Sequence, residues 1–502
     1  MTANQWTTTG RPMGRIAQRF WGGVGRRILD SGALDGTQYK PGQTADEGAR
    51  LGEYDRRWAY YLNDDLYGRL YRAGLAAADM PVTFNPIPAV VDFYGATVLG
   101  GDMRPQAVAE EADDDALGAA VALLWQWSNF DVLRRDVVVT AAVLQDVFLK
   151  VAERTADDAL PTAVYMQDIP PQSVRWWEVD ERGYLTAIRI DTERLESVFS
   201  GVSRRHTLVE VWRKVWPDGQ PGGARWYEIG PGQMLSEERL DSAARVVTFD
   251  ELGYDFIPVV WGRVDTPWRR QIDHIDRYNT VAWQAARLNR PLAVIRAGGT
   301  DAQGRPLAAP LGAAEALDTL YSEEGDGVMG VIRLPGVSTM EWSGQPVDFA
   351  ALNVMLAELK ESIIDGLPEY RVATLRGVQV ATETLQLLMN QAEGRALAMR
   401  AHLERALTRA QMMAITIAQV AGVRPEVFGE SVLGTFGDGR TEHVFAPRPV
   451  FEKSATARAA EAAALVAAGA TLEGAARVAG FTDEQVADLV NLSLATFPEE
   501  GR

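Results

Sequence analysis

The strongest periodic pattern in the chain is TETLQLLMNQAEGRALAMRAHLERALTRAQMMAITIAQVA, residues 382–421. Apolar or small side chains recur there in alternating steps of three and four, the spacing of one face of an α-helix. A helix of about 40 residues at 1.5 Å per residue is roughly 60 Å long. It needs a large partner surface, which a bundle core, a coiled coil or a neighbouring subunit could supply. The positions that keep the spacing are Leu385, Leu388, Ala392, Ala396, Met399, Leu403, Ala406, Ala410, Met413, Ile417 and Val420.

Two shorter helical patterns precede this stretch. The first begins at Thr266-Pro267 and stops at Pro291, because threonine caps helices and proline suits their first turn. The second begins near a cap at Asp348 and stops at Gly366. Both are predicted to be amphipathic helices on either side of a compact insert.

The insert and the segment after the second helix differ in their sequence patterns. The insert, 291–346, has strand-like runs at both ends and an acidic centre rich in glycine, alanine and proline. After the second helix comes PEYRVATLRGVQVAT, 368–382, which carries Arg371 and Arg376. This segment lacks helical periodicity, so we predict a loop.

The rest of the chain mixes helical and strand patterns. Residues 1–50 show little periodicity and indicate a mobile arm. From about 160 to 262, short alternating apolar runs between glycine and proline turns predict a small mixed or antiparallel sheet. A β-like return at 434–449 follows the long helix. Further helices are predicted at 54–70, 117–127, 132–151 and 451–494, so the fold class is α+β.

The strand-rich region is also rich in tryptophan. Aromatic side chains at strand spacing usually pack in a core, and we prefer that interpretation. The alternative is a carbohydrate-binding platform on a wall-binding structural protein. The residues concerned are Trp176, Trp177, Trp212, Trp216 and Trp226.

Composition and charge limit the classes of function. The 502 residues are 47% hydrophobic, which suits a globular protein. With 50 basic and 68 acidic residues, the net charge is −18, which repels DNA and anionic lipid at long range. The N-terminal MTANQWTTTG lacks the pattern of a signal peptide, and no apolar run is long enough to cross a bilayer. We therefore expect neither secretion nor membrane insertion.

Several catalytic signatures are missing. The absence of cysteine excludes disulfides and thiolate chemistry. No lysine follows a glycine, so there is no P-loop for ATP or GTP. The four histidines are scattered, and we interpret each as a surface or core residue in preference to a ligand. No cofactor and no metal site is predicted.

Two weaker signals have structural interpretations. Gly325, Gly327 and Gly330 match G-x-G-x-x-G but precede the strand-like run 331–334 where a dinucleotide site would need a helix. Runs of acidic residues are usually solvated. A hydrolase using such carboxylates remains an alternative, although nothing in their spacing favours it. The runs are Asp64-Asp65, Asp113 to Asp115 and Asp157-Asp158.

The order of these parts resembles the tailed-bacteriophage portal protein family, the head-to-tail connectors. The local stretches that carry the resemblance are PIPAVVDFYGATVLGG, LLWQWSNFDVLRRDVVVTAAVLQDVFLKV and ELGYDFIPVVWGRVD. Family members often carry a glycine where the helix predicted at 132–151 turns into a strand, and Gln145-Asp146 stands there in this chain.

The resemblance implies a portal-like subunit with eight parts. Its α/β wing, two-helix stem and small α/β clip are followed by a long wing helix and an α-helical crown. The parts are a flexible N-terminal arm (1–53), the wing (54–262), the first stem helix (263–290), the clip (291–346), the second stem helix (347–366), the tunnel loop (367–381), the long wing helix with its β return (382–450) and the crown (451–502).

By the same resemblance, the protein is not an enzyme. It would form a homo-oligomeric ring, usually a dodecamer, at one capsid vertex of the virion after assembly in the host cytoplasm. The channel would serve genome packaging and ejection. The implied partners are the major capsid protein, the scaffold, the large subunit of the terminase, a head–tail adaptor and, transiently, double-stranded DNA.

DNA contact in such rings falls to the tunnel loops, so the implied channel residues are Tyr370, Arg371 and Arg376. Ordinary surface arginines are the alternative. The charge of −18 suits a conduit, because each phosphate held tightly by an arginine would add a barrier to sliding.

Overall fold

The structure is a computed structural model, and it divides the chain into two compact units. The first is drawn from 1–61, 87–267 and 368–502, and the second from 62–86 and 268–367. The residues that the structure describes are 45–73, 76, 80–154, 162–199, 202–216, 219–229, 245–288, 293–297, 303, 331–333, 338–342, 349–374, 382–451, 455–481 and 485–489.

Helices and strands combine in an α+β fold, as the sequence predicts. The helices are α1 Ala45–Leu62, α2 Leu66–Arg72, α3 Ile87–Thr97, α4 Asp114–Ser128, α5 Phe130–Leu144, α6 Phe249–Leu252, α7 Ile272–Leu288, α8 Phe349–Asp365, α9 Pro368–Thr374, α10 Thr382–Val420, α11 Pro425–Phe428, α12 Glu430–Leu433, α13 Ala455–Ala467 and α14 Leu472–Ala479. The strands are β1 Pro105–Ala107, β2 Asp146–Arg154, β3 Ala163–Ile169, β4 Val174–Val179, β5 Leu185–Phe199, β6 Val202–Val215, β7 Pro221–Ile229, β8 Arg245–Thr248, β9 Val259–Arg263, β10 Ala293–Ala297, β11 Val331–Arg333, β12 Ser338–Trp342 and β13 His443–Phe445.

Two antiparallel sheets form the core of the first unit. One has the order β3-β2-β9 and the other β4-β5-β6-β7-β8. Phe148 of β2 shares a buried cluster with Ile188 and Trp212 of the larger sheet. Lys150 Nζ lies 2.7 and 2.5 Å from the two carboxylate oxygens of Glu210, and Trp212 Nε1 donates to the same group at 2.5 Å. A satisfied buried ion pair therefore joins the two sheets alongside the apolar contacts.

The tryptophans of this region are core residues, as preferred above. Trp212 and Trp216 are buried. Trp177 and Trp226 pack against the cluster around Phe148, and Trp176 packs against the one around Trp216. Since most of their surface is taken up by packing, they do not form the open aromatic platform that a carbohydrate site needs.

The predicted helix 132–151 is wrong in its second half, because α5 ends at Leu144 and β2 begins at Asp146. Residues 147–149 are buried on both faces of the sheet, and a continuous apolar run has the same signature in a helix as in a buried strand. The turn falls on Gln145, whose φ is 72°. This is the conformation that a glycine adopts without steric cost.

Helix α1 begins at Ala45, so residues 45–53 of the predicted flexible arm are helical. Arg50 Nη2 donates to the backbone oxygens of Val174 and Arg175, each at 2.8 Å. Tyr54 donates its hydroxyl hydrogen to the buried Asp146. These bonds fasten α1 to β4 and β2. Residues 1–44 lie outside the described residues.

The long helix is confirmed: α10 runs from Thr382 to Val420, 39 residues. It packs on β2, β3 and β9. One close contact is at Gly262 of β9, where an added Cβ would lie 3.1 Å from the Cβ of Ala406 and 3.0 Å from Val147. Of the predicted apolar face, Ala392, Ala396, Met399, Leu403, Ala406, Ala410, Met413 and Ile417 are buried, whereas Val420 is exposed.

Arg400 fixes α10 to the end of helix α3. Its side chain is buried. It donates to the backbone oxygens of Val98 at 2.7 Å, Thr97 at 3.0 Å and Arg448 at 2.6 Å. The last carbonyls of a helix have no partner within it, so the guanidinium satisfies oxygens that would otherwise be buried and unpaired. Burial lowers the pKa of Arg400, yet an arginine stays protonated at any physiological pH.

The remaining described elements of the first unit are small. Strand β13 pairs with β1 and forms the only β structure found in the predicted return at 434–449. In the predicted crown, α13 and α14 pack through Ala462, Ala475 and Ala479, and the chain breaks at Gly469 and Gly480.

The second unit contains α2, α7, α8 and a three-stranded sheet of order β11-β10-β12. Helices α7 and α8 pack on each other. Strand β10 is parallel to β11 and antiparallel to β12. The predicted start of the helix at Thr266-Pro267 needs correction. A 3-10 turn, Pro267–Gln271, precedes α7. The hydroxyl of Thr266 is buried and has no hydrogen-bond partner among the described residues. The proline supplies the start, and the threonine does not cap it.

Asn279 of α7 organises the second unit. It is fully buried. Its Oδ1 accepts from the backbone nitrogens of Thr83 and Phe84 at 2.7 and 2.9 Å, and its Nδ2 donates to Tyr67 Oη, Phe84 O and Ile275 O at 2.8–3.1 Å. Residues 62–86, which the sequence places in the wing, therefore cluster with α7.

Among the described residues, no helix has the length and apolar character needed to cross a membrane.

Replacing Arg400 by alanine should lower the free energy of unfolding by about 3 kcal/mol or more, because three backbone oxygens lose a charged donor inside the protein. Urea denaturation followed by circular dichroism measures the change. Arg104→Ala is the matched control, since Arg104 is exposed and pairs with the exposed Asp102. Equal midpoints for the two variants would contradict this role of Arg400.

Asn279→Ala should destabilise the second unit by about 2–4 kcal/mol, because two backbone nitrogens and the Phe84 oxygen lose their buried partner. Hydrogen exchange of the amides of residues 83 and 84 reports the loss locally. Asn85→Ala serves as control, since Asn85 bonds to Asn63 near the surface. Unchanged protection of both amides in the Asn279 variant would refute the assignment.

Candidate functional site

The predicted tunnel loop begins with a helix. Residues 368–374 form α9, contrary to the predicted loop. Pro368 stands at the first helical position and Glu369 in the first turn, which are favoured places for a proline and an acidic residue. With only seven residues, the helix is too short for periodicity to reveal it. The region 375–381, which includes Arg376, lies outside the described residues.

Two of the three predicted channel residues therefore lie on α9. Tyr370 and Arg371 are both half-buried. Thr374 Oγ1 donates to the backbone oxygen of Tyr370 at 2.8 Å and of Arg371 at 3.3 Å. These bonds close the last turn of the helix and hold the backbone beneath the two side chains.

Glu369 anchors α9 in the first unit. The residue is completely buried. Its Oε1 accepts the hydroxyl hydrogen of Tyr94 at 2.6 Å, and both carboxylate oxygens lie 3.3 Å from Arg395 Nη1. Tyr94 belongs to α3 and Arg395 to α10, so one carboxylate joins three helices. The residues next to it in sequence, Tyr370 and Arg371, are positioned through this anchor.

The electrostatics of the anchor keep Tyr94 as a donor. Burial raises the pKa of the Tyr94 hydroxyl far above its ordinary value, and the negative charge of Glu369 raises it further. The hydroxyl therefore stays protonated across the range in which the protein is folded. The arrangement has a structural role, because the polar atoms of Glu369, Tyr94 and Arg395 described above contact one another.

Sequence reasoning missed Glu369, Tyr94 and Arg395. The available signal was a proline followed directly by an acidic residue, which is typical of a helix start. Nothing in the sequence pattern could have shown that the carboxylate is buried, because glutamate is rarely found without solvent contact.

The acidic runs considered for catalysis have structural roles where they are described. Asp64 and Asp65 form ion pairs with Arg69 and Arg72. Asp113 caps α4 by accepting from the backbone nitrogens of residues 115 and 116. Asp157 and Asp158 lie outside the described residues.

A different pair of acids shows perturbed titration. Burial raises the pKa of Asp168 in β3 to about 7, with a further contribution from the charge of Asp136. Burial likewise raises the pKa of Asp136 in α5 to about 6. Thr140 Oγ1 donates to Asp168 Oδ2 at 3.0 Å, while Oδ1 is buried with no partner among the described residues.

The three histidines whose side chains the structure describes do not converge. His443 is buried and bonded to Gln411 Oε1 at 2.7 Å and to the backbone oxygen of Thr441 at 2.9 Å. His274 and His402 are exposed. Within the described ranges, no group of three or more histidine, aspartate or glutamate side chains could hold a metal ion.

Comparisons with known proteins find similarity to solved structures and to nothing else. No family model matches the chain, and no curated protein matches it. A chain in the solved structure described as "Neck of native GTA particle computed with C12 symmetry" is 14% identical, with a TM-score of 0.34, over 82% of this chain and 92% of that chain. At this level the similarity carries no functional conclusion, so any assignment depends on the order of parts in the chain itself.

Tyr94→Phe should lower the free energy of unfolding by about 1–3 kcal/mol, because the buried Glu369 carboxylate loses a donor. Chemical denaturation measures the loss, and Tyr71→Phe, at an exposed tyrosine, is the matched control. Hydrogen exchange in residues 369–374 should increase in the Tyr94 variant alone. Equal exchange in both variants would show that the hydroxyl does not anchor α9.

The raised pKa of Asp168 predicts a pH dependence of stability. An ordinary unfolded aspartate titrates at about 3.9, so between about pH 4 and pH 7 the folded state binds the extra proton. The contribution of Asp168 to the free energy of unfolding therefore falls as pH rises through that window. Asp168→Asn should remove this slope, so the variant gains stability relative to the parent as pH increases from 4 to 8. Denaturation midpoints at several pH values test this, with Asp102→Asn as control, and parallel curves for Asp168→Asn and the parent would contradict it.

Proposed function

We propose that this protein is the subunit of a phage portal ring, the channel for genome packaging and ejection at one capsid vertex. The observation that carries the proposal is the order of parts along the chain: helix, small sheet, helix, short connecting segment and then a 39-residue helix. In a portal these are the first stem helix, the clip, the second stem helix, the tunnel loop and the long wing helix.

Apolar side chains left at the surface support assembly into an oligomer. Of the described side chains of α8, only Ile363 is buried, and Val354 is 58% exposed. On α10, Leu387 and Leu397 are 60% and 42% exposed. Burial of such residues between subunits supplies about 25 cal/mol for each Å² of apolar surface removed from water.

The charge opposes assembly and sets its salt dependence. Each subunit carries −18, so neighbouring copies repel one another until counterions screen them. We expect rings to be favoured as ionic strength rises from low to physiological values. The remaining proposed partners are the capsid protein, the scaffold, the terminase and the adaptor. They depend entirely on the portal assignment.

In the proposed ring, Tyr370 and Arg371 of α9 and Arg376 after it contact the passing DNA. Two arginines per subunit give weak, repeated phosphate contacts, and the net negative chain disfavours tight retention. Glu369 would keep these side chains at a fixed height because it ties the start of the segment to α3 and α10.

Electron microscopy of the purified protein at physiological salt tests the assembly. We expect closed rings with a central hole, in a larger fraction of particles than at low salt. A strictly monomeric protein at high concentration, together with its absence from phage particles, would overturn the proposal.

The double variant Arg371→Ala/Arg376→Ala should form rings but reduce the yield of packaged genome several-fold. The charge-matched control is Arg104→Ala/Arg477→Ala, which removes two exposed arginines elsewhere. Packaged DNA per particle, measured by quantitative PCR after nuclease treatment, is the readout. Equal yields from the two double variants would remove these arginines from the channel.

A further inference from the structure

An arginine-lined pocket lies on one face of α10, remote in sequence from the proposed channel segment. His402, Arg405 and Arg409 follow one another in steps of three and four residues, so they point from the same side of the helix. Together with Ala406 they line one wall of a cavity of about 300 Å³. All of its lining residues belong to the first unit.

The floor of the pocket is the end of strand β9. Trp261, Gly262 and Arg263 line it. Gly262 lies close to Ala406 of the helix, so that a Cβ added at Gly262 would come within 3.1 Å of the alanine Cβ. Arg263 is exposed, and in the ladder it stands opposite Asp146.

The remaining wall is the turn between β4 and β5. Asp180 Oδ1 accepts from the backbone nitrogens of Arg182 and Tyr184 at 2.9 and 2.8 Å, and Gly183 has a φ of 80°. Arg409 donates to the backbone oxygen of Arg182 at 2.8 Å and of Gly183 at 3.3 Å. The turn is thereby held against α10, and Arg182 is fixed at its tip.

The pocket is strongly positive within a negative chain. Four arginines line it against a single carboxylate, that of Glu181. No carboxylate among the described residues forms an ion pair with Arg182, Arg263, Arg405 or Arg409. Burial lowers the pKa of Arg409, and Arg405 lowers it further while Asp180 opposes the effect. Positive charges therefore outnumber the negative charges around the pocket, which Glu181 and Asp180 offset only in part.

We propose that this pocket binds a phosphate group, supplied either as free phosphate or pyrophosphate or by a nucleic-acid backbone. Planar guanidinium groups donate paired hydrogen bonds that match the oxygens of phosphate, and such charge-assisted bonds are about twice as strong as neutral ones. The cavity has room for more than one phosphate group. The proposal concerns the wing and does not depend on ring formation.

Isothermal titration calorimetry of the full chain with sodium pyrophosphate and with inorganic phosphate, at constant ionic strength, tests the site. We expect saturable binding by the parent protein. The double variant Arg263→Ala/Arg405→Ala should weaken it at least tenfold, since each lost charge-assisted bond corresponds to at least this factor. Both arginines are exposed, so the variant should fold normally.

The control is Arg104→Ala/Arg477→Ala, which lowers the charge equally and should bind as the parent does. A short DNA duplex, followed by fluorescence anisotropy with the same proteins, distinguishes the sources. Pocket-dependent binding of the duplex identifies a nucleic-acid phosphate, and pocket-dependent binding of the free anions alone identifies a small-molecule phosphate. Absence of saturable binding, or equal affinity in the two double variants, overturns the proposal whatever electron microscopy shows about rings.

Discussion

The first unit depends on the seating of one long helix against a sheet. Where α10 packs on β9, Gly262 faces Ala406, and a Cβ added at Gly262 would lie only 3.1 Å from that of Ala406. The same helix carries Arg400, which reaches the end of α3, and Arg395, which reaches Glu369. Arg400 is buried and Glu369, the partner of Arg395, is buried as well, so both contacts involve groups that are costly to leave unpaired. A change that displaced α10 would therefore disturb its apolar packing and these polar contacts at the same time.

Sequence periodicity predicted the long elements well and the junctions poorly. Helix α10 and helix α8 were predicted because they repeat an apolar spacing over many turns, and the strands between 160 and 262 because turn residues separate short apolar runs. The boundary between α5 and β2 was missed because residues on both sides of Gln145 are buried all round. Helix α9 was missed because seven residues contain too little repetition to outweigh chance.

For the candidate site, too, the sequence predicted some of the residues and missed others. Tyr370 and Arg371 became candidates through the resemblance to portal proteins, because they follow the second stem helix in the order of parts. It could not indicate Glu369 or Asn279, since both are polar residues that are buried through partners distant along the chain. The arginine pocket was equally hidden: its members come from a turn, a strand and a helix, and only the fold brings them to one cavity.

The chain passes between its two units at four places, and two of these connections share one property. On the outgoing side, Arg263 ends a strand paired to β2, and the next backbone nitrogen, of Val264, donates to Gln145 O at 2.9 Å. On the returning side, Glu369 is fixed within two residues of Leu367 by Tyr94 and Arg395. A pulling force along either connection therefore acts on hydrogen bonds of the first unit within a few residues. At these two of the four connections, hydrogen bonds of the first unit would have to break before force along the chain could spread into its core.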